Sequence, residues 1–283
     1  MNEVSRAAVL VAFPVVAAAI GAAITAVRRP SARVVAGVQH FAAGVVIAAL
    51  VGEVLPDLQH QGNLPWAVAG FSIGVVLMLV LGAWGRRIEA GMEPAGAEPA
   101  GAASERGGAA ASEGAAASGG SAASGGQRSG SVTKAAAAAL PLGLLVTVAI
   151  DLLIDGLLVG LSVTMSAATG IILTIALTLE VVFLALSVSG ELIDRNVPGP
   201  KAAGISAALG LLTAVGAIGG AYVLGGASSQ VLALGLAFGA AALMYLAVEE
   251  LIVEAHEQTE TWLLSALFFI GFLAIYILAE LGG

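Results

Sequence analysis

The chain has 283 residues, of which 59% are hydrophobic and 11% charged, and its mean hydropathy is +0.99. A soluble globular chain of this length needs more polar residues to cover its surface, so the composition excludes that class and predicts a membrane protein. A net charge of −8 argues against nucleic acid as a partner, and the absence of cysteine excludes disulfides and thiolate metal sites.

Eight apolar stretches are long enough for a helix to cross a lipid bilayer, which takes about 20 residues. In chain order they cover residues 7–27, 34–55, 64–84, 139–163, 168–190, 202–225, 230–251 and 261–281. Runs such as VVIAALV are apolar at every position, whereas the strands of a transmembrane barrel alternate apolar and polar residues. We therefore expect an all-α membrane protein with eight transmembrane helices. Because Arg28 and Arg29 follow the first stretch instead of preceding it, that stretch is expected to be a retained helix and not a cleaved signal.

The basic residues predict the orientation of these helices. Of the 11 Lys and Arg residues, ten fall in the connections between the first and second, third and fourth, and fifth and sixth stretches. Basic residues collect in cytoplasmic connections. We therefore expect these three connections in the cytoplasm and both termini outside, in a plasma or inner membrane.

The longest connection divides the chain into two membrane parts. Residues 88–133 consist almost wholly of Ala, Gly, Ser, Glu and Pro. Such a segment buries too little apolar surface to offset the entropy lost on ordering. The expected organisation is three helices in residues 1–87, a flexible cytoplasmic linker in 88–133, and five helices in 134–283.

The fourth and fifth stretches carry acidic residues near their midpoints. Asp151 and Asp155 are four residues apart and share one helix face, and Glu180 lies at a similar depth. The short connection SAATG makes the two helices antiparallel neighbours, so the three acids are expected to converge. Neither stretch contains a Lys, Arg or His. Carboxylates crowded at low dielectric take up protons or bind a cation, which leaves two interpretations: a cation site, or protonated acids that hydrogen-bond helix to helix.

Further polar groups are candidates for supporting roles. Hydroxyl oxygens in the same two stretches are possible neutral ligands, on Thr147, Ser162, Thr174 and Thr178. Glu53 and Asp57 flank a Leu-Pro pair at the outer end of the second stretch. They form either an outer entrance for cations or a solvated helix end. The sequence EELIVEAHE at the inner end of the seventh stretch is either a release path or a wet helix end, with Glu249, Glu250, Glu254 and His256 as its candidate residues.

Three stretches resemble helices of the ZIP (Zrt/Irt-like) family of divalent metal transporters, and the third of them is the fourth apolar stretch, residues 139–163. HFAAGVVIAALVGEVLPDL, residues 40–58, is similar to the second helix of that family, which typically starts with Ala-Ala-Gly and ends at Leu-Pro. AFGAAALMYLAVEELIVEAHE, residues 237–257, is similar to the seventh. The resemblance implies a ZIP-like bundle of eight helices, with transport by rigid-body movement of one bundle against another. It is also compatible with a homodimer.

The metal-binding helices of the family match less well. DLLIDG has Asp151 where the family usually has His and Leu152 where it has Asn, and it retains Asp155 and Gly156. The fifth helix retains only Glu180; the family's His, Pro, second Glu and Gly are replaced by Leu179, Val182, Phe183 and Leu184. The resemblance therefore implies one metal site at most, formed by Asp151, Asp155 and Glu180. Since imidazole favours zinc and carboxylates favour harder ions, this site is expected to discriminate less in favour of zinc.

The sequence therefore predicts a transporter that moves a divalent metal ion, of the zinc, manganese or iron class, into the cytoplasm through a carboxylate site at the midplane. The metal is the substrate, and no organic cofactor is expected. The alternative is a ZIP-like membrane sensor or scaffold that does not transport and whose acids are protonated and structural. An enzyme is not expected, because His-Glu-x-x-His and a Ser, His and Asp set are both missing from the sequence.

Overall fold

The computed structural model describes residues 2–92, 140–248 and 262–282. Within these ranges the chain is helical and contains no strand. In this part of the chain, eight helical spans are long and apolar enough to cross a membrane. The predicted all-α architecture with eight apolar spans is confirmed, and the chain is a multi-pass helical membrane protein.

The helices have the following bounds: α1 (Glu3–Val27), α2 (Ala32–Ala49), α3 (Leu55–Gln61), α4 (Leu64–Met92), α5 (Leu142–Met165), α6 (Ala167–Asp194), α7 (Gly199–Leu224), α8 (Ser229–Tyr245) and α9 (Trp262–Gly282). A π-helical segment, Leu50–Val54, joins α2 to α3, so that the second span is one continuous helix over Ala32–Gln61. Residues 88–92 of the expected linker continue α4. Residues 93–133 of that linker lie outside the described ranges.

The π-helical segment has a local cause in the sequence. Pro56 has no amide hydrogen to donate to the carbonyl of Gly52, and its ring crowds the preceding turn. The wider turn accommodates this, with the amide of Leu55 donating to the carbonyl of Leu50. The second span therefore continues to Gln61 and does not end near residue 55.

The spans pack as two bundles. In the first bundle, α1, α5, α6 and α7 contact one another; in the second bundle, α2 packs on α9 and α4 packs on α8. The two bundles meet where α2 packs on α6 and where α4 and α8 pack on α5.

The pairing of helices repeats along the chain. The first span packs on the fifth, and the sixth packs on the fourth in the same way. Likewise, the second span packs on the eighth, and the seventh packs on the third. The first, second and third spans thus match the sixth, seventh and eighth, five spans further on, and the fourth matches the adjacent fifth. Each difference is odd, so matching helices cross the membrane in opposite directions. This is the packing pattern of an inverted repeat.

Glycines bring helices within each bundle into backbone contact. A Cβ atom added to Gly156 of α5 would overlap the carbonyl oxygen of Thr213 in α7, and one added to Gly74 of α4 would lie 2.7 Å from the carbonyl oxygen of Phe238 in α8. Between the bundles the contacts at glycine are of two kinds: Gly239 of α8 faces the side chain of Leu158 of α5, whereas a Cβ atom added to Gly143 of α5 would lie 3.0 Å from the carbonyl oxygen of Gly85 in α4. The helices of one bundle therefore approach backbone to backbone, whereas side chains such as Leu158 separate α5 from α8.

Candidate metal centre

The three acids at the centres of α5 and α6 come together in the structure. Asp151, Asp155 and Glu180 each offer a carboxylate oxygen, and these atoms lie within 4.8 Å of one another. The exposed fractions of the three residues are 4%, 2% and 0%. The expected convergence of the acids is confirmed, and their role as metal ligands stays a prediction.

The separation of the carboxylate oxygens suits a single ion. Two ligands on opposite sides of a metal are separated by twice the metal–oxygen bond length, which is about 4.0–5.2 Å for zinc to calcium. Oxygens within 4.8 Å of one another therefore span the distance that one divalent cation bridges. With three carboxylates and no nitrogen, the donor set is that of a hard cation.

Local structure explains how α5 and α6 bring these acids together. The helices are joined at Ser166, whose hydroxyl accepts hydrogen bonds from the amides of Ala168 and Thr169 at 3.2 and 3.3 Å. A serine N-cap of this kind starts a helix immediately after a turn. Because the turn is so short, α6 returns directly alongside α5 and brings Glu180 level with the acids of α5.

The surroundings of the three acids are apolar and closely packed. Leu152 and Phe183, which stand where the ZIP family has polar residues, are 3% and 1% exposed. A cavity of about 10 Å³ is lined by Leu152 and Val181, the neighbours of two of the acids in sequence, and by Ser206. This space holds about one water molecule.

The candidate hydroxyl ligands are mostly engaged within their own helices. Thr147 donates to the carbonyl of Gly143 at 3.0 Å, and Thr174 and Thr178 donate to carbonyls one turn earlier at 2.6 Å. Ser162 is buried, and its hydroxyl has no hydrogen-bond partner among the described residues. Three of the four hydroxyls thus donate to backbone carbonyls of their own helix.

The acids of the second span form a separate pair. Glu53 lies in the π-helical segment and Asp57 in α3, both half-buried, and the side chain of Thr169 interacts with each of them. Thr169 is eleven residues before Glu180 on the same helix, which corresponds to about 16 Å. The structure therefore places Glu53 and Asp57 at the interface of the two bundles, well apart from the three central acids.

The remaining candidates, Glu249, Glu250, Glu254 and His256, lie outside the described residues. The expected path through the end of the seventh span is therefore untested.

The buried polar residues that sequence reasoning missed include Gln39. It lies in α2, is 2% exposed, and its Nε2 atom has no hydrogen-bond acceptor within residues 2–92, 140–248 and 262–282. The available signal was its position, because Gln39 lies more than one turn inside the second apolar stretch.

No protein-family model matches the chain, and no curated protein matches it either. The class that the fold supports is that of a multi-pass helical membrane protein with a buried cluster of three acids.

Proposed function

We propose that this protein carries a divalent metal ion across the membrane into the cytoplasm, with Asp151, Asp155 and Glu180 as its ligands. The observation that carries the proposal is the meeting of three buried carboxylates in the centre of the helical bundle. A charged side chain near the centre of a bilayer costs about 2.5–3.5 kcal/mol on insertion scales. Three acids at one point add mutual repulsion to that cost, and a divalent cation offsets both.

The packing of the helices supports a carrier. Inverted repeats with a central binding site are common among transporters, in which one bundle moves against the other. Here the first bundle contains all three acids, and it is internally locked at glycines such as Gly156 and Gly216. Its contact with α8 of the second bundle is made by side chains, as at Leu158. A rigid-body movement of the first bundle is the simplest way to expose the acids alternately to each side.

The orientation follows from the basic residues: both termini lie outside a plasma or inner membrane, as in a ZIP-like carrier. The donor set indicates the class of ion. Within the zinc, manganese and iron class, an all-oxygen site favours manganese over zinc because zinc gains most from nitrogen and sulfur ligands. No organic cofactor and no catalytic step are part of this proposal.

The proposal is tested by metal uptake into proteoliposomes that contain the purified protein, one ion at a time. We expect manganese uptake by the unmodified protein and its loss in Asp155→Asn and Glu180→Gln, which each remove one charge at nearly constant volume. Glu191→Gln is the matched control, since Glu191 lies on the same helix as Glu180 and its side chain is 41% exposed. Uptake by both central variants at the rate of the unmodified protein contradicts the site.

The competing function is a membrane sensor or scaffold with protonated acids. The observation that favours it is the apolar packing of Leu152 and Phe183 near the acids. The two functions differ in metal binding: an ion held only by the folded state at 100 times its Kd stabilises the protein by about 2.7 kcal/mol. If no divalent ion raises the unfolding temperature, the sensor or scaffold replaces the carrier.

A further inference from the structure

Two spans of the second bundle contain a π-helical segment. The first segment is Leu50–Val54 in the second span, and the second is residues 246–248, which follow α8 in the seventh span. Pro56 accounts for the first segment, but the chain has no proline after Pro200, so proline does not cause the second. π-Helical turns are rare and occur frequently at functional sites. The property that the two segments share is their place in the inverted repeat.

The two segments occupy equivalent positions in that repeat. A Cβ atom added to Gly271 of α9 would overlap the carbonyl oxygen of Phe41 in α2. One added to Gly74 of α4 would lie 2.7 Å from the carbonyl oxygen of Phe238 in α8. Both residues of the first contact are displaced by the same 197 positions from their counterparts in the second. That displacement carries Leu50, where the first π-helical segment starts, to position 247 in the second. The segments are therefore related by the repeat and lie toward opposite membrane surfaces.

The second segment lies beside the central acids. Gly239 of α8 faces Leu158 of α5, and the two helices are antiparallel. Leu246 is seven residues, or about two turns, after Gly239. Asp151 is seven residues before Leu158, so Leu246 lies close to the level of Asp151. It is 1% exposed and shares the face of α8 that packs on α5. In the proposed orientation, the segment continues from there toward the cytoplasm.

The first segment lies between the bundles on the outer side. It packs on α6 and α8, and its residues Leu50 and Val54 are 4% and 0% exposed. It leads into α3, whose Asp57 interacts with the side chain of Thr169 near the start of α6. Each π-helical segment thus covers the interface of the bundles on one side of the acids.

We propose that the two π-helical segments are the gates of the carrier, Leu50–Val54 on the outer side and residues 246–248 on the cytoplasmic side. This inference rests on the proposed carrier function. A π-helical turn holds about one residue more than an α-helical turn. When the turn becomes α-helical, that residue passes into the helix that follows and rotates it by about 100°. On the outer side this rotation takes Asp57 away from Thr169 and opens the interface above the acids.

Deletion of Gly52 separates a gate from a passive adjustment to Pro56. Gly52 is exposed, and a Cβ atom added to it would meet nothing within 4 Å, so its loss removes no packing. Without it the turn is α-helical while the flanking helices keep their orientation, so the outer gate stays closed because it has no residue to pass on.

The deletion variant is expected to keep its unfolding temperature and its binding of manganese, and to lose manganese uptake into proteoliposomes. Gly52→Ala is the matched control. It keeps the length of the segment and is expected to take up manganese as the unmodified protein does.

Cysteine labelling tests the outer gate without metal. The chain has no cysteine. Ser162 is 0% exposed, and it lies on the face of α5 that carries Asp155, about two turns nearer the outer end. In intact cells, a membrane-impermeant thiol reagent is expected to label Ser162→Cys when the outer gate opens. Deletion of Gly52 is expected to abolish this labelling, and Gly52→Ala is expected to leave it unchanged.

The outcomes are distinct. If the deletion variant takes up manganese and is labelled like the unmodified chain, the segment is no gate, while the carrier function stands. If the variant does not fold, and deletion of Val51, which is 51% exposed, gives the same result, the closed state needs the extra residue and the inference is wrong. If the unmodified chain takes up no manganese, the carrier function falls, whereas labelling that the deletion abolishes still supports the outer gate.

Discussion

A pair of glycines on α7 offers a quantitative test of the packing that holds the acids in place. A Cβ atom added to Gly216 would overlap the carbonyl oxygen of Leu153 and lie 2.8 Å from the amide nitrogen of Leu157, both on α5. A Cβ atom added to Gly219 would meet nothing within 4 Å. The two positions therefore differ in the space available and share the same helix.

The expected effects follow from these contacts. Gly→Ala within a helix is favourable by about 0.5–1 kcal/mol at either position, because alanine loses less conformational entropy. At Gly216 the overlap with α5 backbone forces the two helices apart, and overpacking of this kind costs about 1–3 kcal/mol. The propensity gain is common to both variants, so we expect Gly216→Ala to be less stable than Gly219→Ala by about 1–3 kcal/mol.

The difference is measured by unfolding each purified variant in the same detergent, with and without manganese. Because α5 carries Asp151 and Asp155, we also expect Gly216→Ala to weaken the stabilisation by manganese, which Gly219→Ala leaves unchanged. Equal stability of the two variants refutes the close approach of α5 and α7, and with it the reasoning that places these acids.

Three further predictions concern single side chains. Asp155→Asn is expected to abolish the rise in unfolding temperature that manganese produces, measured across a concentration series. Ser206→Ala breaks the buried hydrogen bond of 2.9 Å with Ser189 and leaves the Ser189 hydroxyl unsatisfied, so it is expected to lower the free energy of unfolding by about 1–3 kcal/mol. A Ser189→Ala/Ser206→Ala double variant that recovers none of this loss contradicts that explanation. Asp194→Asn removes the charge of an ion pair with Arg29, whose side chains are 63% and 45% exposed, and leaves the hydrogen bond from Arg29 to the carbonyl of Gly190. A loss of less than about 1 kcal/mol is expected in the same assay, and a larger loss shows that exposure does not weaken this pair.

The sequence predicts the central acids well because their arrangement depends on short-range rules. A spacing of four residues puts Asp151 and Asp155 on one helix face, and the turn capped by Ser166 forces α6 to run back along α5. Both rules act within one hairpin, so no knowledge of the remaining helices is needed to bring Glu180 to the same point.

The second span shows where such rules stop. The helix was expected to end near Leu-Pro, whereas a π-helical turn accommodates Pro56 and the helix continues to Gln61. Glu53 and Asp57 consequently lie at the contact with Thr169, a residue more than one hundred positions away in the sequence. The burial of Gln39 depends likewise on which helix packs beside α2, and neither hydropathy nor spacing specifies that neighbour.

The central claim is that Asp151, Asp155 and Glu180 together hold one divalent cation. Equilibrium binding of manganese to the purified protein tests it most directly, by comparing the number of ions bound per chain in the unmodified protein and in an Asp155→Asn/Glu180→Gln double variant. Acidic residues elsewhere contribute equally to both. The account predicts that the double variant binds one ion fewer per chain; the same number of ions at the same affinity contradicts it.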